Sequence, residues 1–190
     1  MRKIVFMMGV SLDGYMEGPD REIDWHRVDE ELHGHFNRRL APMGGFLQGR
    51  VTHELMADYW PTADRRPDAT PIEAEFAALW RDMPKTVYSR TLERPDEWTA
   101  ELRREVDPAE IAALKAQPGG DLAVGGAVLG AEFRRLDLID VYEHYVHPVL
   151  IGRGRPAFPP LEAPEQPLHL VGTRTFGNGV VMLRYERDRS

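Results

Sequence analysis

Near its start the chain carries an unbroken apolar run, Ile4 to Val10. A strand with no polar face must be covered on both sides, so this one belongs inside a sheet flanked by helices. Strand and helix signals then alternate. Ser11-Leu12-Asp13-Gly14 turns the chain and Glu17-Gly18-Pro19-Asp20 continues the loop. The spacing of Val28, Leu32, Phe36 and Leu40 predicts a helix, ended by Pro42 because a residue before proline is pushed out of the helical region. Phe46-Leu47-Gln48 is a short strand feeding a helix over 51–58, and 61–68 reads as a polar, proline-rich loop.

Thr70-Pro71-Ile72-Glu73 is a capping box with proline at the first helical position. Lys85 to Ser89 is strand-like, and Asp107-Pro108-Ala109-Glu110 starts a helix through Leu114. Asp121 to Val124 is a buried strand ending in Gly125-Gly126, with a helix over 127–136 behind it. A strand over 139–146 follows. Two last strands, 168–176 and 180–187, are joined by Gly177-Asn178-Gly179, a hairpin signal. The expected fold is α/β, a single domain over 1–190 with a mainly parallel sheet and an antiparallel C-terminal hairpin.

Composition removes several function classes. Arginine and lysine number 24 against 31 acidic residues, a net charge of −7, which opposes the basic field that nucleic-acid binding relies on. There is no cysteine, hence no disulfide, thiolate metal site or cysteine nucleophile. No apolar run is long enough to span a membrane. The apolar part of Met1 to Met8 is too short for a signal peptide, so a cytoplasmic protein is expected.

In a parallel sheet, ligands gather where strands give way to helix N-termini. Three such ends carry suggestive residues. Gly49-Arg50-Val51-Thr52 combines close backbone approach, a helix start, a hydroxyl and a forked cation, a set that suits phosphate. Ser89-Arg90 could read a ribose 2′-phosphate, or be a solvated turn. Gly125-Gly126-Ala127-Val128-Leu129 could let a pyrophosphate lie on backbone N–H groups, or be a tight packing turn; it is not the Gly-x-Gly-x-x-Gly fingerprint. Together the three imply an extended ligand with several phosphates.

These segments, in this order, resemble the dihydrofolate reductase superfamily, and especially the reductase domain of bacterial riboflavin biosynthesis. The resemblance rests on Val10 to Tyr15, Asp24-Trp25, Gly49 to Thr52, Ser89 to Leu92, Gly125 to Leu129 and Pro148 to Gly154. It implies a dihydrofolate-reductase-like three-layer α/β/α fold and an NADPH-dependent reductase of a small heterocyclic or carbonyl substrate. On this likeness Val10 and the Ser11–Gly14 turn lie near the nicotinamide. Gly49, Arg50 and Thr52 hold phosphates, Ser89 and Arg90 the 2′-phosphate, and Gly125, Gly126, Ala127, Val128 and Leu129 the pyrophosphate. Asp24 and Trp25 line the substrate side, and a homodimer is implied. Two positions depart from the pattern: Val124 stands where the riboflavin-pathway reductase has a glutamate, and Gly130 where dihydrofolate reductases have an aromatic residue.

Reduction of a C=N or C=O bond also needs a proton. In dihydrofolate reductases an acid five or six residues after a tryptophan contacts the pterin, which points to Glu30 or Glu31. Helical geometry disagrees: at about 100° per residue, a face through Trp25, Val28 and Leu32 holds Asp29 roughly 40° from its centre. Asp29, with Asp13 as a second candidate and Asp24 as a third, is therefore the expected acid, the alternative for Asp29 being a place at the helix N-terminus.

His33-Gly34-His35 and His144-Tyr145-Val146-His147 lack metal-site spacing and read as surface or edge residues, so no metal is expected. Only Ser11, Ser89 and Ser190 are serines, without a nucleophile elbow. The run Glu101-Leu102-Arg103-Arg104-Glu105 reads as a solvated face. A second function class, a non-catalytic nucleotide-binding or sequestering module on the same fold, stays open.

Overall fold

The computed structural model describes residues 1–160 and 165–189. Its elements run β1 (Ile4–Ser11), β2 (Tyr15–Glu17), α1 (Glu30–Leu40), β3 (Gly45–Gly49) and α2 (Arg50–Tyr59), then a 3-10 helix (Trp60–Arg65). They continue with α3 (Pro71–Asp82), β4 (Lys85–Tyr88), β5 (Glu101–Arg103), α4 (Pro108–Ala116), β6 (Leu122–Gly125) and α5 (Ala127–Arg135). The last are β7 (Val141–His147), β8 (Arg155–Pro156), β9 (Leu168–Thr175) and β10 (Val181–Arg187). Eight strands form one sheet in the order β5-β4-β3-β6-β1-β7-β10-β9, while β2 and β8 pair separately. Every pairing from β5 to β7 is parallel; β10 is antiparallel to both neighbours.

The apolar run lies at the centre of this sheet, as its lack of a polar face requires. Ile4, Phe6 and Val10 pack with Ile111, Leu129 and Phe133 on the face covered by α4 and α5. Val5 packs with Leu40, Phe76 and Trp80 on the face covered by α1 and α3. Three layers result, with helices on both faces of a mainly parallel sheet. Gly130 lets α5 lie directly on β1, since a Cβ there would collide with the Phe6 ring. Glu143, buried on β7, is bound by Arg39 of α1, Arg184 of β10 and the Tyr145 hydroxyl, tying three elements together.

Several expectations are corrected. The first helix starts at Glu30, and Val28, expected on its apolar face, lies outside it and is half-exposed. Of the stretch 61–68, read as loop, residues 61–65 belong to a 3-10 helix (Trp60–Arg65) with Pro61 in its first turn. The run read as a solvated face contains an edge strand, Glu101–Arg103, with Leu102 paired to Val87, and Glu101, Arg104 and Glu105 in it are exposed as expected. His147, read as a surface residue, is buried, and His144 packs between Phe6 and Phe158. Among the described residues no group of three or more histidines and carboxylates could hold a metal, and no helix is long and apolar enough to cross a membrane.

Candidate functional site

Because β4, β3 and β6 are neighbours, their carboxyl ends open side by side. The result is one cleft of about 560 Å³, lined by Gly49, Arg50, Thr52, Ser89, Arg90 and the stretch Gly126 to Leu129. Sheet order thus brings together the three strand ends singled out from sequence. Gly125 lies behind this lining, with space over it bounded by Thr52 Cγ2.

The two helices that start in the cleft differ from the others. Asp29, Thr70 and Asp107 cap α1, α3 and α4 with side-chain oxygens. The N-caps of α2 and α5 are Gly49 and Gly126, and neither supplies a side-chain cap. The first-turn N–H groups at both starts therefore receive no cap from the N-cap residue and carry the positive end of a helix dipole. Gly126 has φ +95°, a conformation that favours glycine, and a Cβ on it would stand 2.5 Å from Thr52 Oγ1. Nothing larger fits between the two strand ends.

The cleft is also cationic in an acidic protein. Six arginines line it (Arg21, Arg50, Arg90, Arg104, Arg135, Arg155) against three glutamates (Glu17, Glu105, Glu132). Arg135 pairs with Glu132, Arg155 with Glu17 and Arg50 with Glu54. The Arg135 hydrogen bond holds the Glu132 carboxyl below its ordinary range. Arg90 forms no ion pair among the described residues. Arg104 donates from Nη1 to the carbonyls of Ser89 and Leu92, at 3.1 and 2.5 Å. Ser89 is buried, and its Oγ accepts from the N–H groups of Thr91 and Leu92, which leaves its own proton to donate. Arg104 was missed in sequence because its place depends on β5 lying beside β4. A charged run carries no sign of which strand it will join.

The expected acids lie elsewhere. Asp29 is the N-cap of α1, its carboxylate accepting from the Leu32 N–H at 2.9 Å, so it does not face the cleft. Asp13 binds Ser11 Oγ and the backbone N–H groups of Ile151 and Gly152. The Ser11 hydrogen bond, with those two, holds its carboxyl below the usual range, so it clasps two loops and stays ionised. Asp24 is exposed, Val10 fills the core, and neither lines the cleft. Val124 also points into the core, so this strand end offers no carboxylate. Trp25 lies outside the cleft as well, edge-on to His26 and His147.

A family model described as the RibD C-terminal domain matches residues 2–182. The chain is 34% identical over 185 residues to YyaP of Bacillus subtilis, called an uncharacterized protein, covering 97% of this chain and 94% of that one. Among solved structures, a putative riboflavin biosynthesis protein from Shewanella sp. PV-4 superposes with a TM-score of 0.73, 24% identity and full coverage of both chains. Dihydrofolate reductase from Enterococcus faecalis, complexed with NADP(H), superposes at 0.63 with 15% identity, covering 98% of this chain and 96% of that one. The fold is therefore that of the reductases the sequence resembles.

Proposed function

Because the chain belongs to the RibD C-terminal domain family, we propose that it is an NADPH-dependent reductase, one catalytic domain that passes a hydride to a small heterocyclic or carbonyl substrate. The carrying observation is that α2 and α5, the two α-helices without side-chain caps, both start in one arginine-rich cleft. Helix N-termini of this kind bind phosphates, and the fold likeness to a dihydrofolate reductase named with NADP(H) agrees.

The residues fit that cofactor. Gly49, Arg50 and Thr52 would bind one phosphate through N–H groups, a hydroxyl and a guanidinium, and Gly125 to Leu129 would bind the other against bare backbone. Arg50 gives up only an exposed pair with Glu54 to do so, a small loss. Ser89, Arg90 and Arg104 would grip the 2′-phosphate at the far end. When bound, NADPH supplies the hydride; the chain's own residues orient it and keep its phosphates out of water.

The test is calorimetric titration with NADPH, then its oxidation in the presence of pterins, pyrimidines and small carbonyl compounds. Binding with consumption by one of them is the expected result, and absence of NADPH binding overturns the proposal. That Asp13 and Asp29 are both engaged elsewhere favours a second reading, a nucleotide-binding or sequestering protein without turnover, for which binding without consumption would speak. A homodimer is also inferred. The edge strand β9 is eight residues long, and Leu168, Leu170 and Val171 on it are exposed. Such an edge without lysine or proline guards is normally covered. Light scattering at twice the 21.7 kDa chain mass is the expected outcome.

A further inference from the structure

The strands that end in the arginine-rich cleft begin, at the opposite edge of the sheet, around a second cavity. It holds about 170 Å³ and is lined by Arg2, Gly44, Phe46 and Thr86, with Leu114 of α4 and Leu122 of β6.

Arg2 is only 8% exposed. Its Nε donates to the Gly120 carbonyl at 2.7 Å. Among the described residues no carboxylate pairs with it, and nothing accepts from the N–H groups on Nη1 and Nη2. The other charged side chains buried as deeply are satisfied, Lys85 by the carbonyls of Trp80 and Met83 and Glu143 by Arg39 and Arg184. A buried cation without acceptors costs free energy that an anion can return. The chain is nonetheless shaped to hold this one. A Cβ on Gly44 would collide with Nη2 and stand 2.8 Å from the Gly120 carbonyl oxygen. Gly44 is not among the glycines at positive φ, so room for the guanidinium, not backbone freedom, accounts for glycine there.

The walls set the class of ligand. Phe46, Leu114 and Leu122 present hydrocarbon, and the Thr86 hydroxyl makes no hydrogen bond among the described residues. Glu101 also lines the cavity, exposed and paired with Arg103 at 3.0 Å, and its charge opposes a second negative charge on a ligand. The volume is that of about six waters at about 30 Å³ each. We propose that this cavity binds a small aliphatic monocarboxylate of about six non-hydrogen atoms. Its carboxylate takes the free N–H groups of Arg2 and the Thr86 hydroxyl, and its alkyl tail lies against Leu114 and Leu122. The site is separate from the cofactor cleft and does not rest on the reductase reading.

The test titrates butyrate into the native chain carrying nitrogen-labelled arginine and follows Arg2 Nε by NMR. Butyramide, succinate and inorganic phosphate serve as comparisons. Butyrate is expected to shift the Arg2 signal saturably with a Kd of about 1 mM, within the per-atom limit for so small a ligand. Butyramide lacks the charge, and succinate and phosphate add a second one, so each should bind at least about tenfold more weakly. Arg2→Met is expected to weaken butyrate at least about tenfold, and Thr86→Val about fivefold. The proposal is overturned if the native Arg2 signal does not move, if butyramide binds as tightly as butyrate, or if a folded Arg2→Met keeps native butyrate affinity. Tighter binding of phosphate or succinate than of butyrate overturns the monocarboxylate class. The native titration and Thr86→Val decide the matter even if Arg2→Met folds poorly.

Discussion

Asp29 accepts the Leu32 N–H and so spends its carboxylate on the first turn of α1. Asparagine makes the same bond and alanine cannot. Asp29→Asn is therefore expected to keep native stability and turnover, while Asp29→Ala loses about 1 kcal/mol in urea denaturation. A loss of turnover in a fully stable Asp29→Asn would restore its role as an acid. Within the cleft, Arg90 and Arg104 flank Ser89. NADPH is expected to raise the melting temperature more than NADH does. Arg90→Ala and Arg104→Gln should each shrink that difference, weakening NADPH about ten- to a hundredfold, the loss expected for a charged hydrogen bond. Equal shifts from both cofactors in the native chain would remove the 2′-phosphate assignment. Arg90 was legible because it directly follows a strand with a serine at its end. Arg104 was not, because only the pairing of β5 with β4 brings it there.

Local chemistry decides the helices whose ends it caps. Thr70 and Glu73 form their reciprocal bonds as the capping box requires, and the Asp107 carboxylate accepts from the Ala109 N–H; both were readable from a few residues. The start of α1 was misread because Val28 continues the apolar spacing by coincidence, and the cap at Asp29 outweighs it. The α2 and α5 starts reverse the usual rule, since glycine stands where a capping side chain would be. Gly126→Ala forces a side chain into a left-handed backbone and against Thr52. It is expected to cost about 1–3 kcal/mol of stability and to weaken NADPH at least about tenfold by calorimetry. Undiminished NADPH binding in this variant would show that the β6–α5 junction does not hold the pyrophosphate.

The whole molecule responds to pH through the groups it buries. Desolvation lowers His26, His144 and His147 to about 4 from an ordinary 6.5. Between those values the unfolded chain binds protons that the folded chain refuses, so stability is complete above pH 6.5 and falls as pH drops toward 4. Lys85, buried with Nζ donating to the carbonyls of Trp80 and Met83, is lowered by burial to about 8 from 10.5. The unfolded chain again holds the extra proton, so this group adds stability as pH rises from 8 to 10.5. Urea midpoints across both windows should show the two slopes, with His144→Phe flattening the acid one. An acid limb unchanged in His144→Phe would mean that this ring titrates normally. The hydropathy pattern conveyed the layers, since an apolar run demands two covers. It conveyed nothing of which polar groups those covers would trap, for that depends on helices such as α3 wrapping a particular lysine.

The placement of β1 has a consequence for how the protein is made. Ile4 pairs with Leu122, and Val5 with Val141, so β1 leaves the ribosome more than a hundred residues ahead of the strands that neighbour it. At about 5–20 residues per second, its partners follow roughly 6 to 27 seconds later. Throughout that interval the most water-averse stretch of the newborn chain is uncovered and open to association with other chains. Whatever shelters that strand during translation therefore bears on the yield of folded protein, apart from the robustness of the finished molecule.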